Sequence, residues 1–247
     1  MDHQLGKIVF ITGGNRGLGF EVAKHLGFLG MTLLIGSRKL SNGQLAVSQL
    51  QTLGYNAEAI HYDAHEPKLA DTVYSHIDDK YGKLDVLINN AGIILEQVMG
   101  KNSSSSVSSE VLQETFHVNV FAVVALTQKL LPLIKKSDAG RIVNLSSILG
   151  SHALHSMENS PIEPAKAFAY NASKSALNAY TIHLAHELRD TSVKVNSAHP
   201  GWVKTELGGP DAPMEIVDSY KTCMRLATLD SEGPTGGFFH EEDTLPW

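Results

Sequence analysis

The chain reads as an α/β fold, a doubly wound parallel sheet with helices on both faces. Three observations predict it. Short apolar runs recur at residues 8–11, 33–35, 57–62, 86–88, 142–145 and 193–195, with longer helix-patterned stretches between them. Parallel strands need such crossovers, because each connection must return the chain to the same end of the sheet. The first run passes directly into the glycine-rich segment Thr12-Gly13-Gly14-Asn15-Arg16-Gly17-Leu18-Gly19. Turn-forming or polar groups follow later runs: Asn89-Asn90-Ala91-Gly92 the fourth, Ser146-Ser147 the fifth, Pro200-Gly201 the sixth. Ligands bind beyond the C-terminal ends of the strands in such sheets, so these groups converge on one edge.

The 247 residues suffice for one large domain, and no Pro/Ser-rich linker divides them, so 1–247 is expected to be a single domain. A formal charge of −6 argues against nucleic acid or anionic lipid as partner. Cys223 is the only cysteine, which excludes an internal disulfide framework and suits a reducing compartment. Met1-Asp2-His3-Gln4 does not begin a basic, then apolar leader, and no segment is expected to be long and apolar enough to cross a bilayer. A cytoplasmic protein is expected.

Along the chain, the glycine loop should open the first helix, with its N–H groups and positive dipole end facing an anion. The second run ends at Ser37-Arg38-Lys39 and the third at Asp63. Residues 102–109 are a serine-rich connection that should deliver the chain into a helix beginning near Glu110. Within that helix, Asn119 interrupts the apolar stretch Phe116-His117-Val118-Asn119-Val120-Phe121. It either bends the helix or serves a site. After the fifth run, residues 151–168 hold Pro161 and Pro164 with little periodicity, which predicts a loop insertion rather than a long helix. The helix that follows carries Tyr170-Asn171-Ala172-Ser173-Lys174, whose four-residue spacing puts phenol and ammonium on one face. A tyrosine near its usual pKa of ~10 is a poor base at neutral pH, and a neighbouring cation favours its phenolate.

Thr12-Gly13-x-x-x-Gly17-x-Gly19, Asn89-Asn90-Ala91-Gly92, Asn119, Ser147, Tyr170-x-x-x-Lys174 and Pro200-Gly201 together resemble the short-chain dehydrogenase/reductase superfamily in its compact form. The resemblance covers nearly the whole chain. Gly201-Trp202-Val203-Lys204-Thr205 and Gly233-Pro234-Thr235-Gly236-Gly237-Phe238 further resemble its carbonyl reductase branch. It implies a Rossmann-like fold and reversible, NADPH-dependent reduction of a ketone or aldehyde, with hydride leaving the pro-S face of the nicotinamide. Tyr170 would be the general acid/base, Ser147 the hydrogen-bond donor to the carbonyl oxygen, and Lys174 the cation beside the phenol that also holds the nicotinamide ribose. Asn119 would support a water connection to Lys174. Alignment of Gly140-Arg141-Ile142-Val143-Asn144-Leu145 with the family's fifth strand selects Ser147 over Ser146. The 23 positions from Ser147 to Tyr170 exceed the family's usual spacing, consistent with the insertion.

For the cofactor, Gly13 suits the tight turn, Gly17 the approach of pyrophosphate and Gly19 close packing of the helix on the sheet. Asn15, Arg16 and Leu18 lie in the same loop. The position about 20 residues on, where an NAD-type fold places a ribose-binding acid, is occupied by Ser37-Arg38-Lys39 and holds no carboxylate. Arg38, with Arg16, suits a 2′-phosphate, because a guanidinium stays charged and matches phosphate oxygens. That favours NADPH over NADH. By resemblance, Asp63 would contact adenine, while Asn90, Ala91, Gly92, Pro200, Gly201, Val203 and Thr205 border the cofactor.

Other readings carry less. His183 and His186 lack the glutamate of a zinc-protease pattern and a third ligand, so no metal is expected. His152 and His155 lie in the insertion as exposed or substrate-touching residues. No Gly-x-Ser-x-Gly elbow surrounds Ser147. The rivals to a carbonyl reductase are an NAD-linked alcohol dehydrogenase, an acyl-thioester ketoreductase and a nucleotide-sensing regulator of the same fold without turnover. A homodimer or homotetramer is compatible with the family, and the insertion is either a lid or a subunit contact.

Overall fold

In the computed structural model, residues 4–97 and 102–247 are described. Most of the N-terminal tetrapeptide and residues 98–101, just before the serine-rich connection, lie outside them. β1 (Ile8–Thr12) is buried along its whole length because both faces of the sheet are covered. Its alternation sorts the core into two layers. Val9 and Ile11 face α1 (Gly17–Phe28), α2 (Leu40–Thr52) and α8 (Lys221–Ala227), where they meet Val22, Leu26, Leu50 and Leu226. Ile8 and Phe10 face α3 (Lys68–Tyr81), α5 (Ala122–Ile134) and α7 (Phe168–Glu187), and pack with Val73, Ile77, Leu130 and Leu184.

The other strands are β2 (Thr32–Ser37), β3 (Ala57–His61), β4 (Val86–Asn89), β5 (Arg141–Leu145), β6 (Lys194–Ala198), β7 (Phe238–His240) and β8 (Asp243–Thr244). Their order is β3-β2-β1-β4-β5-β6-β7-β8, parallel except for the antiparallel β7–β8 pair. The fold class is therefore the expected one, with the sixth strand displaced to Lys194–Ala198 and two strands added at its edge. β7 and β8 span three and two residues, too short for periodicity to announce.

Two expectations are corrected. The stretch 151–168 is not loop throughout: Ser151 Oγ accepts the Leu154 N–H and starts a short helix, α6 (His152–Ser156). Leu154 then packs with Ile162, Ala165 and Tyr170. Second, a helical run from Ser109 to Ile134 is 26 residues long and contains an 18-residue window with a mean hydropathy of 1.5, which is long and apolar enough to cross a bilayer by those measures. It comprises α4 (Ser109–Phe116), a π-helical turn (His117–Phe121) and α5. Leu126, Leu130, Leu133 and Ile134 are buried against the sheet, and a helix covering a sheet face needs the same apolar composition.

Candidate active site

From β1 the chain adds β2 and β3 on one side, then returns to place β4 on the other. That reversal opens a crevice beyond the strands' C-terminal ends, the ligand position of doubly wound sheets. Thr12 Oγ1 accepts the N–H groups of Asn90 and Ala91, each at 3.0 Å. Asn90 Nδ2 donates to Thr12 O at 2.7 Å and Gly13 O at 3.2 Å. The two loops are thus locked together by the protein alone.

Gly13 and Gly17 adopt φ of +64° and +56°, a region side chains avoid. A Cβ on Gly19 would lie 2.5 Å from Asn90 Nδ2 and 2.7 Å from Gly13 O, so only glycine lets α1 approach this closely. α1 has no side-chain cap and no acid in its first turn, which leaves its N–H groups and positive dipole end unopposed. This cradle fits a dinucleotide pyrophosphate. Asn15 is half-buried in the loop, while Leu18 packs on the core. Gly92 lies near the Lys174 side chain of α7, since a Cβ there would come 3.5 Å from its Nζ.

Across the crevice, a Cβ on Gly17 would approach Thr205 Cγ2 at 4.0 Å, so the loop after β6 faces the glycine loop. Pro200 precedes Gly201, whose φ of +94° is a conformation side chains rarely adopt. Val203 bridges to Met214. At the end of β2, Ser37 Oγ turns inward to donate to Lys39 O at 2.9 Å. Arg38 is exposed, and no ion pair engages it among the described residues. Arg16 instead pairs with Glu206 from the loop after β6. Asp63 is engaged too: its Oδ1 accepts the His65 N–H at 3.0 Å and lies 3.0 Å from His65 Nδ1. His65 Nε2 reaches Glu114 Oε1 at 2.7 Å, linking Asp63 to α4.

Ser147, Tyr170 and Lys174 meet at the sheet edge, each less than a tenth exposed. Ser147 follows β5; its Oγ accepts the Leu149 N–H at 3.2 Å, and its hydroxyl sits beside the Tyr170 phenol, where it favours the phenolate. Ser146 Oγ, by contrast, is buried with no partner among the described residues. Lys174 Nζ lies 5.6 Å from the Tyr170 ring centre and donates to Leu145 O at 2.7 Å. Burial pushes the phenol up to about 12, and the neighbouring Ser147 hydroxyl offsets only part of that. Burial also brings the Lys174 ammonium down to about 8. The same apolar surroundings penalise both charges, so burial keeps the phenol protonated although the ammonium beside it is still mostly charged at neutral pH. A phenol held protonated at neutral pH is the form a proton donor needs.

Asn119 sits in the π-helical turn and is fully buried. Its Oδ1 accepts the Ile93 N–H at 2.8 Å, and its Nδ2 donates to Ile93 O at 2.9 Å and Ser173 Oγ at 3.0 Å. The asparagine thus splices the segment after β4 to α7. A π-turn widens the helix locally, which accounts for a polar residue within an apolar run.

The model of the short chain dehydrogenase family matches residues 7–215. The chain belongs to this family. Carbonyl reductase (NADPH) 1 of Rattus norvegicus is 30% identical, with 97% of this chain and 98% of the relative covered. The solved carbonyl reductase Sniffer of D. melanogaster superposes with a TM-score of 0.83 at 29% identity, covering 98% of this chain and 100% of that one. A short chain dehydrogenase from Burkholderia cenocepacia, solved in complex with NADP, gives 0.80 at 26% identity, with 96% of each covered. The chain is a carbonyl reductase-like short-chain oxidoreductase with the family's Rossmann-like fold, and the family binds a nicotinamide cofactor.

Several features of this dehydrogenase's site were not foreseen. His155 is half-buried rather than loop-exposed: its ring donates from Nε2 to Leu149 O at 2.9 Å, and Nδ1 lies 3.0 Å from Lys166 Nζ. The Ala153 N–H donates to Trp247 O at 2.9 Å, bringing the C-terminal segment against the insertion. No motif announces these long-range contacts. Thr12 was more legible, since a threonine ending a strand before glycine is placed to accept neighbouring N–H groups. His152, His183 and His186 are exposed, and no cluster of metal-ligating side chains occurs among the described residues.

Proposed function

We propose that the protein reduces the carbonyl group of a small ketone or aldehyde to an alcohol using NADPH, within a single domain. The observation that carries this reading is the meeting of Ser147, Tyr170 and Lys174 in a buried corner beside the glycine cradle. With its pyrophosphate in that cradle, a reduced nicotinamide dinucleotide would supply the hydride. The chain's own residues do the rest. Ser147 donates a hydrogen bond to the substrate oxygen where negative charge develops, and Tyr170 gives that oxygen its proton. Lys174 holds positive charge beside the phenol and binds the ribose hydroxyls, oriented by Leu145 O. Gly13, Gly17, Gly19, Asn90, Ala91 and Gly92 form the cofactor wall, with Asp63 at the adenine end and Thr205 opposite the pyrophosphate. The insertion serves as a pocket wall, because Leu154, Ile162 and Ala165 pack on the cluster that holds Tyr170.

The preference for NADPH rests on Arg38, exposed at the end of β2 where no acid is present to receive a ribose hydroxyl. A charge-assisted contact to phosphate is worth about 1.5–3 kcal/mol, roughly one to two powers of ten in affinity. Steady-state kinetics with each nucleotide should give a kcat/KM for NADPH at least about tenfold above that for NADH. Arg38→Ala should remove most of that advantage. Equal use of the two nucleotides by the unaltered protein rejects the phosphate contact, and failure of both nucleotides to drive reduction of a ketone and aldehyde panel rejects the proposed activity.

A further inference from the structure

α7 carries both Tyr170 and Lys174, yet nothing in its own sequence caps its start. Its N-cap residue is Ala167, which offers no side-chain acceptor, and its first turn holds no acid. The first N–H groups of any helix lack intrahelical acceptors and need partners from elsewhere. Here the N–H of Tyr170 donates to Glu96 Oε2 at 3.0 Å. Glu96 lies 74 positions upstream, in the segment that leaves β4 past Asn90, Ala91 and Gly92. The same segment is clamped at Ile93 by Asn119, which also reaches Ser173 Oγ on α7. Two cross-links therefore join the segment bordering the cofactor to the helix bearing the phenol. One of them ends on the backbone of Tyr170 itself.

We propose that Glu96 is a positioning residue for Tyr170. Its carboxylate supplies the missing cap and holds the first turn of α7 at the depth that keeps the phenol against Ser147. A carboxylate suits the place twice over, as a strong acceptor and as an anion at the positive end of the helix dipole. The main-chain bond fixes where the phenol is presented and takes no part in proton transfer. The proposal rests on the reading of Tyr170 as proton donor.

The test compares Glu96→Ala and Glu96→Gln with the unaltered enzyme, using kcat and KM for several carbonyl compounds, the Kd for NADPH and the thermal midpoint. Small displacements of reacting groups cost up to about 10²-fold in rate, so Glu96→Ala should lower kcat about tenfold for every substrate. NADPH affinity should change little, and the thermal midpoint should fall by only a few degrees, roughly what loss of one helix cap costs. Glu96→Gln retains a carbonyl oxygen that can accept the Tyr170 N–H and should recover most of the lost kcat. An undiminished kcat in Glu96→Ala overturns the proposal. So does a loss in Glu96→Gln as large as in Glu96→Ala, or a loss expressed as weaker NADPH binding with kcat unchanged. Tyr170→Phe, assayed alongside, separates the two levels: if it is inactive while Glu96→Ala is fully active, only the positioning role fails; if it is active, the proton-donor reading fails with it.

Discussion

Tyr170→Phe lowers kcat for carbonyl reduction by about 10³-fold, within the 10²–10⁴ range that a positioned general acid contributes, and leaves NADPH binding near that of the unaltered protein. The ring is kept, so the packing of Tyr170 with Leu149, Leu154, Ile162 and Ala167 survives. Only the hydroxyl beside Ser147 is lost. Without it the alkoxide must take its proton from water in a site from which water is largely excluded. Stopped-flow oxidation of NADPH in the presence of a ketone, paired with nucleotide titration by fluorescence, measures both quantities. Reduction at an undiminished rate removes Tyr170 from the mechanism.

Lys174→Ala impairs two steps together, raising the Kd for NADPH and lowering kcat, with a combined loss in kcat/KM of about 10²-fold or more. The pH profile gives this residue a signature of its own. Burial lowers its pKa to about 8, so the amine is mostly charged at pH 7 and neutral above that value. Since kcat/KM reports ionisations of the free enzyme, kcat/KM for NADPH should fall as pH rises through about 8. Tyr170, pushed up to about 12, remains protonated throughout that window and contributes no limb. The alkaline fall should be absent from the much weaker activity of Lys174→Ala. A flat profile in the unaltered enzyme across pH 7–9 contradicts the assignment of charge to Lys174.

Where the chemistry depends on local backbone geometry, the sequence was a good guide. The spacing of Gly13, Gly17 and Gly19 specified a turn, an open approach and a close helix contact, and each glycine has a distinct geometric need in the fold. The spacing of Tyr170 and Lys174 placed both on one face of α7 because helical periodicity is local. What periodicity could not convey was set by distant partners. Glu96 capping α7, Glu206 pairing with Arg16, and the Trp247 carbonyl meeting Ala153 all join residues far apart in the chain. The effect of burial on Tyr170 and Lys174 was also invisible, since spacing places the two groups together but says nothing of the apolar residues around them. The helical run from Ser109 to Ile134 shows the converse difficulty. Its high hydropathy reflects the sheet it covers, and composition alone does not distinguish that surface from lipid.

Transfer of deuterium from stereospecifically labelled NADPH to product tests the central claim most directly. The enzyme is incubated with a ketone and NADPH carrying deuterium at the pro-S position of C4, and the alcohol is examined by mass spectrometry. The account predicts deuterium on the carbinol carbon of the alcohol, with none transferred from nucleotide labelled at the pro-R position. Tight binding of NADPH with no deuterated alcohol from any carbonyl compound contradicts it, and identifies a nucleotide-binding protein that uses this fold without turnover.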